Sequence, residues 1–448
     1  MSASTYYGQP FPLSTPIAVA VDETSPFQRL GFNVLLVFVF LAFSRIFDVR
    51  LGSLHITGVS YVLVFAMVLL SRGFLVALNS NIGKTLLGFT VCFALSVPFS
   101  VWRTGSKDVF LHKWLYSFVA FLAVAALVHN YHQWFKLFKT LTSALLVFTI
   151  ISNVFGISDS GRLFLEQGKF ANPNEMAQAL LLGLPLWGAL MFISKSLPGK
   201  AFAGGVLVLI IVTTFRTGSR GAMVGFVATL LVVFLRAPVM GRLKIILAGV
   251  LFLGIVLTTM PERLIARYKT VAEEEVDDTE MGAGMAASAA SSASSRKQLL
   301  RHSLIFTIRH PIFGVGAGMF VVADDNYMKG LGQRKGSWLG THNSYTEVSS
   351  ELGIPAVLFF VATIVMALKC SYQLYQRTRG DPRLEDMGNA ALALHYCLVI
   401  YAVTILFENI AYTIMLPVFA GLAAGLVRTA TVEIQRIQSS PLPVSISG

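Results

Sequence analysis

Charge is scarce in this 448-residue chain: Asp, Glu, Lys and Arg together make up 13% of it, about half the roughly 25% of an ordinary soluble domain. So low a share excludes a water-soluble globule wherever the apolar residues also run together. Cysteine is scarce as well. Cys92, Cys370 and Cys397 are too few for a disulfide framework and read as small hydrophobes. No basic stretch and short apolar core precede a small-residue cleavage site, so the polar first 28 residues, with Pro10, Pro12, Pro16 and Pro26, read as a retained tail and not a signal peptide. The net charge is +12, but no basic cluster is interleaved with exposed aromatics, which excludes nucleic acid as a partner. Anionic headgroups and phosphate-bearing lipids fit that charge better.

Apolar residues are what the chain has most of, at 55%. A spanning helix needs about 20 of them in a row. Such runs recur at about 31–47, 57–71, 86–101, 114–128, 136–155, 175–194, 201–215, 221–235, 245–260, 342–368, 391–407 and 410–427. The expectation is an all-α integral membrane protein of about 12 transmembrane helices. Its parts are a cytoplasmic tail over 1–28, helices 1–9 over 29–260, one large periplasmic loop over 261–341, helices 10–12 over 342–428, and a cytoplasmic tail over 429–448. Lys and Arg are commoner in the short loops on the side of the N-terminus, which places both termini in the cytoplasm and the long loop outside.

That loop is uneven. Residues 273–280 are acidic and 282–295 are almost all Gly, Ala and Ser, a composition expected to be mobile. Leu300, Leu304 and Ile308 then recur every fourth residue, the mark of a short amphipathic helix lying on the membrane surface. Pro311 ends it. Gly314, Gly316 and Gly318 read as a flexible turn, Asp324-Asp325 as a solvated turn, and Glu408-Asn409 as a tight turn between the last two spans.

The topology gathers several polar residues at the outer face: Arg216 and Arg220 in a turn between short spans, Arg296, Arg301 and Arg309 on or beside the amphipathic helix, and His342, Asn343, Tyr345 and Glu347 at the start of the tenth span. Guanidinium forks grip phosphate bidentately and keep their charge, so two or three suit a diphosphate. A histidine suits removal of a proton from a hydroxyl near neutrality. Each residue also has a plainer reading: an arginine that snorkels to the headgroups, a histidine that caps or bonds within the bundle. A transporter would use the same charges to line a path, but no internal repeat of the kind transporters carry is present, and the charges sit on one face.

Three stretches resemble the O-antigen ligase and polymerase superfamily of bacterial envelope enzymes. These are Phe170-Ala171-Asn172-Pro173-Asn174 entering a span, the turn Ser219-Arg220-Gly221, and the run from Arg296 through His310-Pro311 and Gly314-Val315-Gly316 to His342-Asn343 and Gly353. The resemblance implies a C-type glycosyltransferase fold in the inner membrane that takes a glycan from undecaprenyl diphosphate on the periplasmic face. Its ligases pass the glycan to lipid A–core, and its polymerases pass it to another lipid-linked repeat. Carried over by position, the diphosphate-binding arginines are Arg220 and Arg296, with Arg216, Arg301 and Arg309 placed less securely. The base is His342. Asn174, Asn343, Tyr345 and Glu347 become candidate contacts to glycan or acceptor. Ala356 stands where the ligase signature has Gly, Thr or Tyr, which bears on ligase against polymerase. No cofactor and no metal are expected: the first outer loop, about 48–56, offers only Asp48. No carboxylate is placed to form a covalent glycosyl intermediate, so inversion is expected.

Overall fold

The computed structural model describes residues 26–47, 56–71, 73–159, 161–165, 172–243, 280–332 and 338–439, together with 246, 247, 249, 250 and 254. Its helices are α1 (Pro26–Ser44), α2 (Ile56–Ser71), α3 (Phe74–Asn79), α4 (Asn81–Ser96), α5 (Arg103–Val109), α6 (Leu115–Ala126), α7 (Tyr131–Phe155), α8 (Pro173–Ile193), α9 (Leu197–Arg216), α10 (Arg220–Arg236), α11 (Glu280–Arg309), α12 (Phe320–Gly330), α13 (Ser344–Leu352), α14 (Ile354–Thr378), α15 (Glu385–Thr404) and α16 (Met415–Ser439). A two-stranded antiparallel hairpin, β1 (Ile157–Asp159) and β2 (Arg162–Phe164), joins α7 to α8.

The chain is an all-α integral membrane protein. Among the described residues, 9 helices are long and apolar enough to cross a bilayer, and they cover the expected runs except three. Two of the three are α2, with 16 residues, and α10, with 17, both just under the usual spanning length. The third, 245–260, lies mostly outside the described residues, as do the acidic run at 273–279, Asp48 and most of the N-terminal tail.

Inside the bundle, aromatic side chains fill the space between helices, and three buried indole N–H groups find acceptors. Trp134 donates to the Leu422 carbonyl at 2.9 Å, Trp187 to that of Thr142 at 3.0 Å, and Trp114 to Thr90 Oγ1 at 3.1 Å. Hydrocarbon offers no hydrophobic drive between helices, so close packing has to hold them. On α16, Gly421 and Gly425 present a bare face to α6 and Trp134, and a Cβ at Gly421 would lie 2.9 Å from Val124 Cβ. The three cysteines are free, and Cys370 lies within α14.

The connections expected on the outer face differ from the expectation in several places. Residues 342–368 are two helices and not one span. At Gly353 the backbone turns to φ +88°, a Cβ there would strike the Ile312 carbonyl, and Ile354 N–H donates to the Pro311 carbonyl at 2.7 Å. Only glycine fits that crossing. The last two spans do not meet in a tight turn: α15 ends at Thr404, α16 begins at Met415, and 405–414 form a mostly buried connection with Leu406 exposed. The C-terminal tail is helical as far as Ser439.

Gly314, Gly316 and Gly318 are pinned, not flexible. Val315 N–H and Gly316 N–H donate to the carbonyls of Ser350 and Glu351, each at 2.9 Å, and a Cβ on Gly316 would collide with Ser100. Lack of a side chain here permits close approach. The Gly, Ala and Ser run is the first half of α11, in keeping with alanine's helix propensity. Leu300, Leu304 and Ile308 are the exposed stripe of that helix. Its buried side is Leu299, His302, Ser303 and Phe306, packed with Val315 and Phe320 in a small second core. Asp324 and Asp325 are not a solvated turn but buried positions of α12. Asp324 meets His302 at 2.5 Å, and Asp325 meets Lys329 at 2.6 Å.

Candidate active site

The site begins with a glycine spacing. Gly221 and Gly225, one turn apart on α10, leave room for α15: a Cβ on Gly221 would lie 2.8 Å from Phe407 Cβ, and one on Gly225 would lie 2.5 Å from Thr404 Cγ2. That close approach sets Arg220, the first residue of α10, beside the 404–408 chain. Ser219 caps the helix, accepting from Ala222 N–H at 3.3 Å, so the positive end of α10 and the arginine occupy one place. Gln178 of α8 donates to Thr404 Oγ1 at 2.6 Å and ties α8 to the same point.

The β-hairpin adds a second arginine. Arg162 donates through Nε to the Thr217 carbonyl at 3.0 Å and through a terminal nitrogen to Asn174 Oδ1 at 2.8 Å. One guanidinium thus joins the Arg216–Arg220 turn to the Asn172-Pro173-Asn174 segment. Asn172 caps α8 by accepting from Asn174 N–H at 3.0 Å, and Glu175 sits in the first turn of that helix.

The third contributor is the chain around His342. Ser344 N–H donates to the Ile405 carbonyl at 2.8 Å, and Ser344 Oγ donates to the Glu408 carbonyl at 2.7 Å while accepting from Ile410 N–H at 3.0 Å. Gly340 lies against the Asn409 side chain. Held this way, His342 takes φ +52°, a left-handed conformation that histidine tolerates better than most residues but still at some cost. Among the described residues its Nδ1 is buried with no hydrogen-bond partner. Burial, and then the Arg296 guanidinium, hold its pKa below the ordinary histidine value, so the imidazole is neutral near pH 7 and free to accept a proton.

Glu408 faces the same charges. It is 3% exposed, and its Oε2 is buried without a partner among the described residues. Burial pushes its carboxyl up to about 8; Glu175 adds to the rise, while Arg296 and Arg162 oppose it. Arg296, half-buried on α11, therefore influences both His342 and Glu408.

The structure brings Arg220, Arg296, Asn174 and His342 around the 404–410 chain. Other candidates are turned to different work. Arg216 is exposed and donates to Asn153 Oδ1 at 2.7 Å. Arg301 and Arg309 are exposed on α11, and Arg309 lies 5.3 Å over the Tyr327 ring. Asn343 caps α13, accepting from Tyr345 N–H at 3.0 Å and Thr346 N–H at 3.2 Å. Tyr345 donates to the Ala402 carbonyl at 2.9 Å. Glu347 is buried and accepts from Ala411 N–H at 3.1 Å.

Sequence reading missed Arg162, Glu175 and Glu408. Glu175 and Glu408 bring carboxyls to the site, but a carboxyl held in its protonated form, as at Glu408, is a poor nucleophile, and the expectation of inversion is unchanged. Glu175 directly follows the Asn-Pro-Asn segment and was within reach of that motif. No local pattern marks Glu408. A comparison with curated proteins finds no match. Residues 205–361, which hold Arg220, Arg296 and His342, match the model of the O-antigen ligase family, and this match supports the resemblance to the O-antigen ligase and polymerase superfamily.

Proposed function

We propose that this protein is a glycosyltransferase of the bacterial inner membrane that moves a glycan from undecaprenyl diphosphate to an acceptor hydroxyl on the periplasmic face, in the manner of an O-antigen ligase. One observation carries the reading: a neutral imidazole with an unpartnered nitrogen stands among arginines, one of them at a helix N-terminus. That arrangement answers two needs of the reaction. His342 takes the proton from the acceptor hydroxyl as its oxygen attacks the anomeric carbon. The bond to the diphosphate breaks, and Arg220 and Arg296 stabilise the charge that grows on it. Displacement in one step inverts the anomeric centre.

Donor and acceptor follow from the same chemistry. Apolar helices suit a polyprenyl tail, and guanidinium forks suit its diphosphate. The acceptor is lipid A–core in a ligase and another lipid-linked repeat in a polymerase. Ala356, which departs from the ligase signature and is wholly buried against the bundle, weakens the choice of ligase over polymerase and keeps the polymerase as the second reading. A flippase for lipid-linked glycans is the third, and belongs to a different class.

Deletion of the gene separates the three. On a glycolipid gel, a lost ligase leaves long lipid-linked polymer without its acceptor, a lost polymerase leaves single repeats, and a lost flippase strands lipid-linked repeats in the cytoplasmic leaflet. The last result would overturn the enzyme reading.

A further inference from the structure

Three buried carboxyls lie on the outer-face elements around His342, and their hydrogen bonding separates them. Glu347 accepts from Ala411 N–H, and Glu351 from Gly318 N–H, Phe320 N–H and Tyr412 Oη. Glu408 differs: its Oε2 has no partner among the described residues although it is buried. Leaving a buried polar atom unbonded is costly, and natural proteins keep few such atoms. Its backbone is also fixed to the His342 segment, because its carbonyl accepts from Ser344 Oγ, two residues past His342.

We propose that Glu408 touches the substrate, its free Oε2 hydrogen-bonding a glycan hydroxyl beside His342. The inference rests on the glycosyl-transfer reading above and adds a substrate contact that lies outside the family match at 205–361. Charge explains why a carboxyl can serve beside a diphosphate. The groups facing it are Glu175 from α8, Arg162 from the hairpin and Arg296 from α11. Were Glu408 ionised, it would neutralise Arg296 and repel the donor's phosphates. With its pKa near 8 it carries a proton at neutrality, leaves the guanidinium to the diphosphate, and can both donate to and accept from a sugar hydroxyl.

Glu408→Gln and Glu408→Ala in the purified full-length protein, assayed across pH with a polyprenyl-diphosphate-linked glycan as donor, test this. Glutamine keeps a donor and an acceptor and never ionises. Glu408→Gln should therefore hold the neutral-pH rate to within a few-fold while losing the alkaline fall of the profile near pH 8. Glu408→Ala should lose roughly tenfold to a hundredfold in kcat/KM, the effect of one buried hydrogen bond. A Glu408→Gln protein as inactive as Glu408→Ala would overturn the proposal in favour of an ionised carboxylate. A Glu408→Ala protein with the wild-type rate and alkaline limb would reduce the residue to packing.

Thermal stability gives a second readout that needs no substrate. A carboxyl raised on folding from about 4.5 to about 8 loses stabilisation as pH climbs through that window. The wild-type melting midpoint should fall over it, and that of Glu408→Gln should fall less. Identical slopes would overturn the proposal even if Glu408→Ala failed to fold. Wild-type protein inactive with every glycan donor would instead sink glycosyl transfer itself, and this contact with it.

Discussion

Glu351 and Glu408 are buried to almost the same degree, 4% and 3% exposed, yet they belong to regions built for different purposes. Around Glu351 every visible opportunity is used. Two N–H groups of the 314–320 loop and the Tyr412 hydroxyl converge on its carboxylate, and burial raises its pKa against their pull. Around Glu408 and His342, a carboxyl oxygen and an imidazole nitrogen are both enclosed and both unpartnered among the described residues. Burial alone therefore distinguishes nothing here. Counting donors against acceptors does, because a satisfied group has its bonding used within the fold, while an unsatisfied one beside the site has capacity left for a substrate.

The largest effect that would test this contrast lies at His342. If its free nitrogen is the base, His342→Ala loses roughly 10²–10⁴-fold in turnover with donor binding largely kept. The acid limb of the wild-type pH profile should lie below the ordinary histidine value, since burial and Arg296 both disfavour the imidazolium. Arg296→Ala removes the second cause, so its acid limb should move up. Arg296→Ala and Arg220→Ala should also weaken the donor itself, because these side chains meet charge present before as well as during reaction. Lysine should rescue only in part, a point charge being no fork. Near-normal turnover in His342→Ala would break the contrast from the catalytic side.

Glu351 tests it from the other side. Glu351→Ala strands the Gly318 and Phe320 N–H groups and the Tyr412 hydroxyl, each at a cost of about 1–3 kcal/mol when buried. Folded yield and melting midpoint should drop sharply, while the pH profile of whatever folds keeps both limbs. A well-folded Glu351→Ala with a shifted profile would move Glu351 into the site and erase the distinction.

How far the sequence alone reached follows the same line. Nine of the expected spans were legible because long apolar runs mark them, and His342, Arg220 and Arg296 were picked out through motifs. What failed were inferences from local composition. Glycines at 314–318 read as freedom, yet their missing side chains serve to let Ser100, Val109 and Glu351 come close. Asp324-Asp325 read as solvated, since the His302 that pairs with Asp324 lies 22 residues away. Glu408 read as a turn between two apolar runs. Its enclosure comes from Ser344, 64 residues earlier, and from charges on α8, α11 and the hairpin, none of which a local window contains.

The smallest expected effect is an absence of change. In the proposed mechanism Arg220 and Arg296 stabilise the charge on the departing diphosphate, a role that a divalent cation fills in other phosphate-transfer sites. Transfer by the purified protein should therefore continue unchanged in excess chelator. Loss of activity that magnesium or manganese restores would shift that role to a cation, and substitution of either arginine by lysine should then be tolerated. The state of Glu408 supplies an independent check. A divalent cation beside it would favour the ionised carboxylate and draw its pKa down from about 8. The alkaline limb of wild-type transfer should then move to lower pH as magnesium is added. An alkaline limb that stays in place across a magnesium titration, with activity intact in chelator, assigns the charge stabilisation to the arginines and the proton near pH 8 to Glu408.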